Sequence, residues 1–175
     1  GTNACAECHG DQMARWSKST HGRAGGPPSP KTVIPKFDGV RLSFKDAQVD
    51  LRVTEGAYFF DVRQRGNAPR SFEVTGVVGS GRIHGGATQT FFTTNRDGTV
   101  TMLPFDYSVT NQTWFCQTNG QWAPVTAKLS LRDCQYPPTR HLGFSSRANC
   151  QDCHGSQIQV QFDAKQRKYE TKWAS

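Results

Sequence analysis

Two five-residue stretches, Cys5-Ala-Glu-Cys8-His9 and Cys150-Gln-Asp-Cys153-His154, decide how this sequence is interpreted. In each, two cysteines are separated by two residues and are followed at once by a histidine. The chain has 175 residues and only five histidines, so a histidine after both pairs is not expected by chance. Cys-x-x-Cys-His is the attachment signature of a c-type haem.

Haem chemistry explains the spacing within these stretches. Two thiols add across the two vinyl groups at one edge of the porphyrin, and a helical turn places the thiols at the vinyl separation. The next residue then lies under the iron, where an imidazole becomes the proximal axial ligand. The sequence therefore predicts two covalent haems, attached at Cys5 and Cys8 and at Cys150 and Cys153, with proximal His9 and His154.

Other sites built from paired cysteines fit less well. A zinc ribbon usually has about 15–20 residues between its pairs, whereas 141 residues separate these two. Iron–sulfur clusters usually draw on denser cysteine runs, and a thioredoxin-like site needs a single pair in a βαβ setting. None of these sites explains a histidine after both pairs.

Five histidines are enough for the four axial positions of two bis-histidine haems. The distal candidates are, in order of preference, His21, His84 and His141. His21 lies 12 residues past His9, about 18 Å along a straight helix, so we expect it to serve the other haem. His84 has glycines on both sides that let the backbone approach a porphyrin face. A methionine ligand or an open, five-coordinate iron is the alternative.

Cys116 and Cys134 lie outside both motifs. Haem c attachment takes place outside the cytoplasm, where disulfides persist, so we predict that these two cysteines pair. Two free thiols are the alternative. Closing this loop would stabilise the fold by about 3 kcal/mol in the loop-entropy model.

Composition limits the class of protein. The chain is 35% apolar with a formal net charge of +7, and no run approaches the roughly 18 apolar residues of a membrane span. Basic clusters such as Arg63, Arg65 and Arg70 lack any nucleic-acid motif, so no nucleic-acid partner is expected. The chain begins at Gly1 without an initiator methionine. We therefore expect that a signal peptide has been removed and that the protein is extracellular or periplasmic.

The expected fold is one mainly β domain over residues 1–175, an antiparallel meander or small sandwich. Short haem-binding helices lie at each end, a β-hairpin follows the second, and the two haems complete the core. Residues 1–30 are expected to form the first haem helix (4–20) and an irregular loop (22–30). The β segment follows at residues 31–127, and residues 128–175 contain the second haem site and the hairpin. Alternating apolar and polar residues, bounded by turn residues, predict strands at 32–37, 40–44, 49–54, 57–62, 71–78, 88–94, 100–103 and 112–116. A second helix is predicted at 148–155, and the two strands of the hairpin are predicted at 157–162 and 168–173.

Several motifs together resemble a known family. The first motif is followed by Trp16, Ser19 and His21, a CxxCH…WxxSxH opening, and the second motif by a Tyr-x-Thr-x-Trp stretch at 169–173. This pattern is similar to a multihaem cytochrome c family that includes the tetrahaem cytochromes of nitrification and extracellular multihaem cytochromes. The resemblance implies a two-haem member of that family, with His21 as an axial ligand.

Electron transfer is the predicted function, because a bis-histidine iron has no free position for a substrate. Its partners would be other cytochromes or redox proteins. Exposed haem is also an apolar patch that favours association, so self-association into a conductive filament with stacked haems is a further hypothesis. The alternative is a haem enzyme or gas sensor with one five-coordinate iron.

Overall fold

The computed structural model describes residues 3–19, 25–79, 88–96, 98, 100–118, 121–134, 158–166 and 168–173, with the backbone alone at 3–5, 117, 158–162 and 168–173. Helix α1 spans Asn3–Lys18. The strands are β1 Gly25–Gly26, β2 Val40–Ser43, β3 Ala47–Thr54, β4 Ala57–Gln64, β5 Arg70–Glu73, β6 Gly76–Val78, β7 Thr88–Thr94, β8 Val100–Ser108, β9 Thr113–Thr118, β10 Gln121–Pro124, β11 Ile158–Asp163 and β12 Lys168–Trp173.

These strands form three antiparallel sheets. The larger sheet has six strands in the order β1-β6-β7-β8-β9-β10, and a second sheet has four strands in the order β2-β3-β4-β5. Strands β11 and β12 pair with each other, with Ile158 opposite Trp173 and Asp163 opposite Lys168. The prediction of a mainly antiparallel β structure with a short helix near the N-terminus is confirmed.

Alternation of apolar residues buries one face of the four-stranded sheet. In β3 the side chains of Ala47, Val49 and Leu51 are buried, and the residues between them are exposed or half-buried. Because side chains of a strand point alternately to its two faces, this pattern directs one face inward. A two-residue turn with positive φ at Glu55 (52°) and Gly56 (81°) joins β3 to β4, the geometry that matches the twist of a hairpin.

The two large sheets pack face to face over an aromatic core. Phe60 of β4 is fully buried and stacks on Phe105 of β8, with ring centroids 4.8 Å apart. Its ring also meets Phe91 and Trp114 edge-on at 5.5 and 5.9 Å, the arrangement that aromatic quadrupoles favour. The small sandwich expected from the sequence is therefore held mainly by contacts between its two sheets.

Several predicted strands were wrong in detail. Residues 32–37 do not form a strand: Ser29 O accepts hydrogen bonds from both Thr32 N and Val33 N in a turn, and the chain then continues irregularly through a bend at Pro35. The predicted strand 71–78 is two strands, β5 and β6, in different sheets. Strand β8 continues through Pro104 to Ser108, well beyond the predicted end at 103. Strand β10 was not predicted.

The loop predicted for residues 22–30 was also wrong in part, because Gly25 and Gly26 pair with β6. A 3-10 turn at Leu131–Asp133 lies at the start of the segment 128–175, where no regular element was predicted before residue 148. Within the part of the chain that the structure describes, no helix has the length and apolarity that crossing a membrane requires.

Candidate functional site

The first Cys-x-x-Cys-His motif lies on α1. Cys5 and Cys8 are three residues apart in this helix, a spacing that puts the two positions on the same helix face. The Cys8 thiol is free and exposed, and His9 directly after it is also exposed. The spacing of the motif and the exposure of Cys8 and His9 fit a haem held by two thiols and one imidazole.

The helix is kinked at the histidine of the motif. His9 has φ −129° and ψ 39°, outside the helical region, so α1 consists of two helical parts joined there. Such a kink interrupts the regular stacking of turns and separates the cysteine-bearing turn from the turn that carries Met13 and Trp16. The proximal ligand candidate therefore sits at the one irregular position in the helix.

Most of the described surface of α1 faces solvent. Ala6, Met13 and Trp16 are half-buried, whereas the charged residues between them are exposed. An isolated helix of about 12–15 residues is only marginally stable in water and normally gains stability by packing an apolar face. Cys8 and His9 therefore lie on a stretch of α1 that is open to solvent.

The remaining predicted haem residues lie outside the described residues. These are the three distal candidates His21, His84 and His141, and the second motif with Cys150, Cys153 and His154; the predicted helix 148–155 lies there too. Among the described residues, no three His, Cys, Asp or Glu side chains cluster closely enough to hold a bare metal ion.

The predicted pairing of Cys116 with Cys134 is confirmed. Their sulfurs are 2.15 Å apart and their Cα atoms 5.4 Å apart, and both residues are buried at the edge of the aromatic core. The bond joins β9 to the end of residues 125–134, which we call the strap. The strap runs from β10 to the last described residue before the second motif.

Asp46, in the turn between β2 and β3, holds the strap from the other side. Its carboxylate accepts hydrogen bonds from Leu131 N at 2.7 Å, Ser130 Oγ at 2.9 Å and Gln64 Nε2 at 3.1 Å. Burial alone would raise the pKa of Asp46, but these hydrogen bonds outweigh it and hold the pKa below its usual value. The anchor was missed from the sequence because its partners in the strap, Ser130 and Leu131, lie more than 80 residues away along the chain.

The outer face of the four-stranded sheet is charged. Asp50 and Asp61 lie directly opposite each other on β3 and β4. Ion pairs with arginines offset the repulsion between the two carboxylates. Arg41 and Arg63 pair with Asp50, while Arg52 pairs with Asp61 at 2.8 Å. The hydrogen bond from Arg52 lowers the pKa of Asp61 despite its partial burial. Exposed pairs of this kind contribute little stability, so this face is a solvated surface.

The outer face of the six-stranded sheet is more apolar. Phe92 and Phe115 are buried there, outside the main aromatic core. Trp122 stacks on Phe115 with ring centroids 4.7 Å apart and an interplanar angle of 15°. The indole is nevertheless 61% exposed. An exposed tryptophan is a frequent contact residue in interfaces, and no motif in the sequence indicated it.

Comparison with known proteins adds one finding. The family model described as cytochrome c554 and c-prime matches residues 4–32, which include the first motif and His21. Neither the comparison with curated proteins nor that with solved structures returned a match. The N-terminal part of the chain is thus similar to a cytochrome c family, in agreement with covalent haem and electron transfer.

Proposed function

We propose that the chain is a secreted dihaem c-type cytochrome whose two bis-histidine, low-spin haems transfer electrons. The observation that carries the proposal is the first motif: its Cys8 and His9 are accessible on α1, in the stretch that resembles a cytochrome c family. The second motif repeats the same five-residue pattern. When bound, a haem supplies one-electron redox chemistry at its iron.

The chain's own residues have separate roles in this proposal. Cys5 and Cys8 hold the first porphyrin and His9 supplies its proximal nitrogen, while Cys150, Cys153 and His154 do the same for the second. His21, His84 and His141 are the distal candidates that would leave no open position for a substrate. The buried disulfide supports export, because such bonds persist in oxidising compartments.

Paired cysteine variants test the number of haems and their positions. Mass spectrometry of the intact chain should show two haems in the parent protein. Cys5→Ser with Cys8→Ser should remove one haem, and the equivalent change at Cys150 and Cys153 should remove the other. The matched control replaces Cys116 and Cys134, which form the disulfide, and should retain both. A parent chain with fewer than two covalent haems would refute the dihaem assignment.

Spin state distinguishes a carrier from a haem enzyme or gas sensor. If both irons have two histidine ligands, the oxidised protein is low-spin throughout and the reduced protein does not bind carbon monoxide. A high-spin fraction in the parent protein would favour the enzyme or sensor instead.

Self-association into a filament is the finer part of the proposal. Exposed haem surface together with the exposed Trp122 ring would favour contacts between copies, and an open head-to-tail contact yields a filament. Light scattering and electron microscopy of the native protein test it. A single species near the 19.4 kDa chain mass plus haem, at high concentration, would contradict it.

A further inference from the structure

A cleft opens beside β2, the strand at one edge of the four-stranded sheet. Its volume is about 320 Å³, and its walls include Arg41, Leu42 and Ser43 of β2, Trp114 of β9 and the start of the strap. Ligand pockets in proteins range from about 300 to 1,000 Å³. The cleft is therefore large enough for a short segment of a ligand.

The backbone of β2 directs hydrogen-bonding groups away from its neighbour β3. Phe44 N donates to Ala47 O at 2.8 Å, so these residues form a hydrogen-bonded pair at the end of the β2–β3 ladder. Hydrogen-bonded and non-hydrogen-bonded pairs alternate along an antiparallel ladder. The register of the two strands puts Arg41 and Ser43 in the non-hydrogen-bonded pairs. Their N–H and C=O groups therefore point outward, beyond the edge of the sheet.

The strap covers this edge at one end of β2. Lys45 lies two residues beyond Ser43 and faces the same way, and its N donates to Leu129 O of the strap at 2.8 Å. Within the part of the chain that the structure describes, no hydrogen bond reaches the outward backbone groups of Arg41 and Ser43. These groups form a short stretch of open strand edge beside the cleft.

The edge of the six-stranded sheet at β10 is protected in a different way. Val125 N donates to Trp114 O at 2.9 Å, so the preceding residue, Pro124, occupies an outward position of β10. Proline has no N–H there, which hinders pairing with another strand. Strand β2 has no proline, so its outward positions can both donate and accept.

We propose that the cleft binds an extended peptide segment of a partner protein, which adds a strand to the sheet along β2. In this mode of recognition, main-chain hydrogen bonds provide affinity and alternate side chains provide specificity. The outward groups of Arg41 and Ser43 supply the main-chain bonds. The inference goes beyond the proposed function, because the site involves neither haem motif.

The side chains around the cleft define the peptide that fits. A residue opposite Leu42 lies on the same face as this buried side chain, toward Trp114, and the small volume favours valine or a residue of similar size. A residue opposite Arg41 lies on the outer face. Arg41 and Arg63 share Asp50 there, which leaves one positive charge, so an acidic residue is favoured.

The synthetic peptide acetyl-Thr-Thr-Val-Glu-Thr-amide is the probe, because it places an acidic residue next to valine in a chain that favours extended structure. Titration into the reduced, haem-loaded and isotope-labelled protein should shift the NMR resonances of the Arg41 and Ser43 amides. The same peptide with lysine in place of glutamate should bind more weakly. If the first peptide shifts no resonance of β2, the proposal is overturned.

Ser43→Pro removes an outward N–H but no hydrogen bond of the ladder, and the peptide should bind at least about tenfold more weakly. Ser71→Pro is the matched control on β5, the opposite edge of the same sheet. Val74 N donates to Tyr58 O at 2.8 Å, so Ser71 also faces outward, and it is exposed. This variant should bind the peptide like the parent. Equal weakening in both variants would mean general loosening and would overturn the proposal.

A second blocking variant covers the case in which Ser43→Pro does not fold. Ala127→Phe fills the cleft from the strap, where Ala127 is exposed, and should also prevent binding. Undiminished binding to a folded blocking variant contradicts the proposal. Sedimentation of the parent without peptide tests another occupant: association that the blocking variant abolishes would assign the edge to a second copy instead of a partner protein. Haem mass and spin state, which test the proposed function, should be equal in all these proteins.

Discussion

Replacing Asp46 by asparagine should release the strap without altering the aromatic core. Asparagine keeps one oxygen that can accept from Leu131 N. Its NH₂ group then faces the donor groups of Ser130 and Gln64, which in the parent protein donate to the Asp46 carboxylate. Hydrogen bonds to charged groups contribute about 1.5–3 kcal/mol each. Since part of the network survives, we expect a loss of about 2 kcal/mol at pH 7.

The loss should appear as a lower unfolding temperature. For a chain of this size, each kcal/mol lowers the midpoint by about 2–4 °C, so Asp46→Asn should unfold about 4–8 °C below the parent. Circular dichroism of the haem-loaded proteins measures the difference. Asp133→Asn is the matched control, because it removes the same charge from an exposed position in the same strap, and it should change stability by less than about 0.5 kcal/mol.

The pH dependence provides the sharper test. The folded pKa of Asp46 lies below its usual value, so its stabilisation is fully present above the unfolded pKa of about 3.9. That stabilisation is lost as the pH falls through the folded pKa. The difference in free energy of unfolding between the parent and Asp46→Asn should therefore be constant from about pH 7 to 5 and should decrease below about pH 4. A difference that stays unchanged down to pH 3 would refute the charge-based account.

Three other changes follow from the same structure. Replacing Cys116 and Cys134 by alanine should cost about 3 kcal/mol in the loop-entropy model, measured by urea unfolding at unchanged haem content; an equal midpoint would contradict it. Phe60→Ala should cost about 3–5 kcal/mol, because it empties a fully buried aromatic site, and its denaturation midpoint against the parent shows this. His21→Ala should turn one haem high-spin in the visible spectrum, and a spectrum that stays low-spin would mean that His21 is not a ligand.

Prediction from sequence succeeded where a single periodic signal determined the structure. The helix that carries the first motif was predicted at 4–20 and is found at Asn3–Lys18. The strands predicted at 40–44, 57–62 and 88–94 agree with β2, β4 and β7 to within two residues at each end. In these strands, the alternation of apolar and polar residues and the content of β-branched or aromatic residues both predict β structure.

Prediction failed where tertiary pairing overrode local signals. Gly25 and Gly26 form β1, in which a Cβ on Gly25 would lie 2.5 Å from Val77 O of β6. A pair of glycines shows no alternation of apolar and polar residues from which a strand could be predicted. Pro104 lies inside β8 although proline normally interrupts a strand. The apolar side chains of Val33 and Phe37 still pack in the core, but they lie outside any strand.

The candidate site could be predicted only in its covalent part. The cysteines and the following histidines form contiguous motifs, so their chemistry is visible in a few residues. Long-range hydrogen bonds of the β structure are not visible in this way: Gln89 of β7 donates to Thr32 O across 57 residues, and Asp46 accepts from Leu131 N across 85. No local pattern distinguishes such a buried amide or carboxylate from a surface one.

The burial of the disulfide has a consequence for maturation of the chain. Six cysteines allow 15 complete pairings, and the haem attachment that we propose requires the motif cysteines to remain thiols. Cys116 and Cys134 are enclosed in the sandwich, whereas the Cys8 thiol is open to solvent. Thiol–disulfide exchange requires access to a sulfur, so a reductant reaches the motif far faster than the core. Once the sandwich has formed, wrongly paired motif cysteines can be reopened for haem addition while the structural bond persists.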